Sequence, residues 1–161
     1  MTATTIAAGT DDVTIDRLLH MSQAELDALY QSSEAGPIPV GVTEGTAVVF
    51  PRTFVGKITR PLVRLLFWQG KVFDPEQSDL LNRVSLFQFR AIRAKVYEDK
   101  SWLDGKPTIV LDYSKTSLLA RKIRDEIRAV APGLYLGKVF WGRKRLLDFV
   151  LTTRATGAAA G

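Results

Sequence analysis

Residues 134–151 read LYLGKVFWGRKRLLDFVL, and this stretch decides the fold class. Two runs dominated by apolar and aromatic residues, Leu134–Trp141 and Arg145–Leu151, flank the turn residues Gly142-Arg143-Lys144. That is the pattern of an antiparallel hairpin. In the second run Leu147, Phe149 and Leu151 share a parity, which sends them to one face and Asp148 to the other. Working back toward the N-terminus, Thr108–Tyr113 (TIVLDY) reads as a buried strand behind a tight turn at Asp104-Gly105. Residues 82–98 keep Val84, Leu86, Ile92, Ala94 and Val96 on one parity, enough for one bent strand or two. Gly70-Lys71-Val72-Phe73 begins another strand, and Asp74-Pro75-Glu76 ends it. Val40–Phe50 is again β-branched, with Gly41 and Gly45 where the backbone bends or a neighbour comes close.

Helical signals interrupt this sheet. Ser22-Gln23-Ala24-Glu25 is a capping box, in which serine and glutamate satisfy each other's backbone amides. Leu26, Leu29 and Tyr30 follow at helical spacing, Gly36-Pro37 stops the run, and a shorter helical turn around Thr14–Met21 precedes it. Over 53–67, Phe54, Ile58 and Leu62 lie on one face and Lys57, Arg60 and Arg64 on another, with Pro61 dividing the segment. A third helix is expected over 115–131. Ser114, Thr116 or Ser117 would cap it, Leu119, Ile123, Ile127 and Val130 would form its apolar stripe, and Arg121–Asp125 and Lys122–Glu126 would pair on its wet side. The expected architecture is α+β. A helical cap over 13–35 closes one end of the domain. Residues 36–152 then form an antiparallel barrel or strongly curled sheet of seven or so strands, with helical insertions near 53–67 and 115–131. Residues 1–12 and 153–161 read as flexible tails.

Composition narrows the function classes. The chain has 161 residues, 46% of them hydrophobic and 24% charged, which suits one globular domain. It has no cysteine and one histidine, His20. Disulfide scaffolds, thiolate sites and multi-histidine metal centres are therefore not expected, and no metal or cofactor is assigned. His20 reads as a surface or capping residue. Phosphate-cradling glycine motifs and the G-x-S-x-G elbow are absent. No apolar run approaches a bilayer span, and MTATTIAAGTDD lacks the basic start of a secretory signal, so a cytoplasmic location is expected. Charge is uneven: residues 1–50 hold seven acids and one base, whereas 52–71 carry Arg52, Lys57, Arg60, Arg64 and Lys71 with no acid. Either the acidic front packs across the basic body, or the basic part meets phosphate or anionic lipid.

Trp68-Gln69-Gly70-Lys71-Val72-Phe73 forms a W-x-G-K-x-F motif, set between the glycine-bearing strand and Asn82. With Ala94–Tyr97, Ile109–Tyr113, Gly137 and the last strand Phe149–Leu151, this order resembles the bacterial GXWXG proteins and their lipocalin-like companion domain over about residues 36–152. The chain departs from that family in having no G-x-W-x-G. The resemblance implies a calycin-type barrel with a hydrophobic pocket for a small molecule, and it carries over no catalytic residue.

Site candidates follow from polar or aromatic residues inside apolar strands. Gln88 and Arg90 interrupt the oily parity of 82–98. An inward Arg90 would need a carboxylate, Asp112 or Asp148, or the acidic head of a ligand; a bulge near Gln88-Phe89 would instead turn it to water. Trp68, Phe87, Tyr113, Tyr135 and Trp141 are candidate pocket walls. Asp112 and Tyr113 are candidate acid–base residues, and Asp148 is read as facing solvent or paired with a nearby cation. The expected function is non-catalytic binding of a hydrophobic or amphipathic, possibly acidic, small molecule. The alternatives are a cofactor-free isomerase, cyclase or lyase on the same scaffold, and a peripheral module using 52–71. That module would make weak contact with an anionic membrane; for nucleic acid no RNP-like run is present.

Overall fold

The computed structural model describes residues 13–48, 68–74, 79–84, 92–115 and 120–153. Two short helices come first, α1 (Ile15–His20) and α2 (Gln23–Ser32). The Ser22 hydroxyl accepts from the Glu25 amide at 3.3 Å, and the Glu25 carboxylate accepts from the Ser22 amide at 2.7 Å. This is the capping box read from the sequence, and it separates the two helices. His20 is exposed beside the Asp16 carbonyl.

Eight strands follow: β1 (Gly41–Val48), β2 (Trp68–Asp74), β3 (Asp79–Val84), β4 (Ile92–Lys100), β5 (Pro107–Asp112), β6 (Ile123–Ala131), β7 (Leu134–Trp141) and β8 (Lys144–Thr153). Each pairs antiparallel with its neighbours in the chain, and β8 returns to β1, so the hydrogen-bonded order closes on itself. The closing ladder runs from Thr43↔Thr153 to Val48↔Asp148. The fold is mostly antiparallel β with a small helical part. Thr152 and Thr153 belong to β8. The helical reading of 53–67 lies outside the described residues.

One expectation is overturned. The helix expected over 115–131 is not formed over 120–131: Ala120–Lys122 makes a single 3-10 turn, and Ile123–Ala131 is strand β6. Ile123 and Ile127 stand four apart, which suits one face of a helix and one face of a strand equally. The residues between them settle the matter. Glu126, Arg128 and Val130 are buried on one face of β6, and Asp125 and Ile127 on the other. A helix would have left the charged face in water.

Alternate residues of the last strands build two cores. On the inner face Val96, Ile109, Leu111, Ile127, Val139, Phe149 and Leu151 pack together. On the outer face Leu18, Leu26 and Tyr30 of the helices cover Val48, Val130, Leu136 and Val150. Each fully buried leucine contributes about 1.5–3 kcal/mol. Gly137 on β7 has no side chain because the Phe149 ring occupies that space. The helices therefore lie along the outside of β6–β8 instead of capping an end. The end is covered by the segment after α2: Ala35 joins the inner core, its carbonyl accepts from the Ala129 amide at 3.2 Å, and the Pro37 carbonyl accepts from the Tyr135 hydroxyl at 2.8 Å.

Candidate functional site

Two groups of buried polar side chains stand on opposite faces of the same strands. The inner one contains a tyrosine–aspartate pair. Tyr113 leaves the end of β5 and Asp125 is the third residue of β6; both are 3% exposed. The Tyr113 hydroxyl donates to Asp125 Oδ2 at 3.1 Å. Register places Asp125 between Leu111 and Val139 on the inner face. Ile123 and Ile127 flank it along β6, and Trp141 packs against the same core. A carboxylate costs several kcal/mol to bury without partners, so a donor as close as the Tyr113 phenol is a requirement of the site. Chemically, a carboxylate accepts hydrogen bonds from donors such as a hydroxyl or an amine. With the phenol it also forms an acid–base pair.

The outer group is larger, and it fastens α2. Lys138, fully buried, donates to Asp27 and to Asp148, each at 2.7 Å. Gln23 donates to the same Asp148 oxygen at 2.7 Å, and Arg145 to Asp27 at 2.6 Å. Burial acts to raise the Asp27 carboxyl, but the bonds from Lys138 and Arg145 outweigh it and hold the group below the usual carboxylate range. Further along α2, the Tyr30 and Thr108 hydroxyls share a 2.7 Å bond, and Thr108 donates onward to the Ile127 carbonyl at 3.0 Å. Burial drives the Tyr30 phenol well above its ordinary range, more than its bond to Thr108 offsets. Glu126 accepts from Ser101 at 2.6 Å, from the Trp102 amide at 2.9 Å and from Arg124 at 3.0 Å. These bonds are spent on joining helix, turn and barrel, so the outer group is a clamp.

The residues singled out in the sequence fall as follows. Tyr113 and Tyr135 face inward, and Trp141 is half-buried against the inner core. Trp68 is the first residue of β2, opposite Val84. Phe87 and Arg90 lie outside the described residues. Asp112 points away from Tyr113, on the outer face, where it accepts from the Tyr97 hydroxyl at 3.2 Å and the Ser114 amide at 2.8 Å. Asp148 is paired with a cation, as read, but under α2 and out of solvent. Asp125 was missed because a helical reading put it on a wet face. As a strand, IRDEI shows a carboxylate between two isoleucines of one parity, and that is the signal that could have found it. Among the described residues no group of histidines and carboxylates could hold a metal ion, and no helix is long and apolar enough to cross a membrane.

No family model matches this chain. No curated protein matches it either. Among solved structures it is similar to a crystal structure of a protein from Thermomonospora curvata, at 19% identity and a TM-score of 0.55. The match covers 83% of this chain and 88% of that one. At this identity the likeness is one of fold.

Proposed function

We propose that the interior of the ring of strands binds a hydrophobic or amphipathic small molecule, in the manner of a calycin-type barrel. The observation that carries this reading is the buried Tyr113–Asp125 pair set among the apolar side chains of the inner core. A barrel of about eight strands has room either for its own side chains or for one small guest. A guest needs apolar walls and a few fixed polar contacts. Tyr135 and Trp141 serve as walls. The polar pair selects a guest end that donates a hydrogen bond, a hydroxyl or an amine, because the carboxylate accepts. An acidic head group would instead require a cation such as Arg90.

Native mass spectrometry of the purified protein tests this, together with a fluorescence titration using N-phenyl-1-naphthylamine. The expected result is a retained apolar molecule and one saturable site whose affinity falls about tenfold in Asp125→Asn. A protein with neither retained mass nor a saturable site would overturn the reading.

The same pair favours a second reading, acid–base chemistry on the guest by a cofactor-free isomerase, cyclase or lyase. Chromatography of what is extracted from the native protein and from Asp125→Asn separates the two. Identical molecules mean a carrier, and distinct isomers mean a reaction.

A further inference from the structure

The W-x-G-K-x-F motif forms strand β2, and the strand register shows which face its lysine position belongs to. Two routes lead there from buried anchors. On the closing ladder, Leu151 of the inner core pairs with Gly45 of β1. Gly41 has the same parity on β1 and pairs with Phe73, so positions 73 and 71 of β2 belong to the inner face. From the other side, Val96 of the inner core shares its parity with Ile92 on β4, and Ile92 pairs with Asn82 of β3. The two routes meet, because Lys71 pairs directly with Asn82. The neighbouring positions of this parity are Phe73, Leu80 and Ala94 on one side and Trp68 and Val84 on the other, all apolar. An ammonium at such a position is costly unless something in the interior accepts from it.

Asp125 stands across the ring from this pair. Strands β2 and β6 are four apart in an order of eight, so Lys71 and Asp125 belong to opposite walls. They also share a level. On β4 the pairing line from Lys71 through Asn82 arrives at Ile92, and the line from Asp125 through Leu111 arrives at Val96. The stretch from Ile92 to Val96 spans about 10 Å of height at a strand tilt of about 40°. Each step from strand to strand raises a pairing line by about 3 Å at the same tilt, and the steps from β2 to β6 cancel that offset to about one residue.

We infer that Lys71 and Asn82 are binding residues of the interior site, and that its guest is an uncharged apolar molecule bearing a carbonyl group. The inference rests on the binding reading above and names the guest that site selects. An ammonium and an amide donate to a carbonyl oxygen on one wall, and the Asp125 carboxylate accepts from a hydroxyl or an amine on the other. One cation and one anion at one level balance each other. A fatty acid would add an anion in excess, at a cost that a low dielectric magnifies. A neutral carbonyl compound adds none.

The chain has no cysteine, so single cysteines introduced into the full chain report position without interference. Lys71→Cys and Asn82→Cys should react with polyethylene glycol maleimide about a hundredfold more slowly than Lys95→Cys, an exposed position opposite Asp112 on the outer face. Equal rates overturn the inference, whether or not a guest binds. Displacement of N-phenyl-1-naphthylamine then reads the guest class. Methyl nonyl ketone is expected to displace it better than undecanoate does, and Lys71→Met to weaken the ketone about tenfold relative to undecanol. Should Lys71→Met fail to fold by circular dichroism, Asn82→Leu carries the same comparison. A preference for undecanoate overturns the inference, and so does a ketone that is indifferent to both substitutions. A native protein that takes up neither ketone nor alcohol overturns the binding reading itself, and the role of Lys71 falls with it even if both thiols are protected.

Discussion

Arg128 shows how one residue can join parts of the chain that are far apart in sequence. Its guanidinium has five N–H donors, and all are used. Nε donates to the Pro107 carbonyl at 3.0 Å, Nη1 to the Tyr30 carbonyl at 2.8 Å and to Asp104 at 2.7 Å, and Nη2 to Asp104 at 2.7 Å and the Lys106 carbonyl at 3.1 Å. The group also lies 4.3 Å from the centre of the Tyr30 ring. A lysine offers three donors on a point charge and cannot reproduce the bidentate geometry. Arg128→Ala is expected to cost about 3–5 kcal/mol, since it strands Asp104 and three carbonyls, and Arg128→Lys should recover only part of that. Urea unfolding of both variants measures the difference. Equal stability of Arg128→Lys and the native protein would show that the fork geometry is dispensable. Nothing local in the sequence marks Arg128, because its partners come from α2 and the β4–β5 turn.

Among the elements, α2 is the piece whose attachment is ionic. Its apolar side chains Leu26 and Tyr30 bury against the outer face, while Asp27 meets Lys138 and Arg145. The Asp27 carboxyl is depressed in the folded protein, so its stabilising contribution is fully present above the unfolded value near 3.8 and is lost as pH falls through the folded value. Asp104, held low by Arg128, acts in the same direction. Asp27→Asn is expected to destabilise the protein by about 1–2 kcal/mol at neutral pH, a gap that closes below roughly pH 4. Chemical denaturation across pH 2–7 reads this directly. A gap that stayed constant with pH would mean that Asp27 acts by packing alone. The helix itself was legible: Ser22 and Glu25 cap it and Leu26, Leu29 and Tyr30 set its period, all within nine residues. Strand β6 was not, because its charged face finds burial only against this distant helix.

For the whole molecule, closure depends on the longest pairing in sequence. Residues 43–48 of β1 pair with 148–153 of β8, so the ring shuts only after nearly the full chain is gathered. Loop closure of that length and a topology rich in non-local contacts slow folding. Refolding followed by tryptophan fluorescence is expected on the millisecond-to-second scale rather than in microseconds. Truncation after Arg143, which removes β8, should abolish cooperative unfolding, since β1 and β7 would each lose a partner. A truncated protein with a sharp transition would show that the remaining strands are sufficient.

The sequence by itself determined where most strands lie, that they are antiparallel, and how α2 begins. Period-two alternation, turn residues and caps act over a few neighbouring positions, and TIVLDY, the 134–151 hairpin and the Ser22 capping box carry those signals in full. Only the tertiary structure decided the state of 123–131. Ile123 and Ile127 satisfy helix and strand alike, and the choice came from what covers the residues between them. With α2 over one face and the barrel interior on the other, both faces of that segment are dry. The strand therefore turns Asp125 inward to Tyr113 and sets Glu126 and Arg128 against partners that no local pattern could supply.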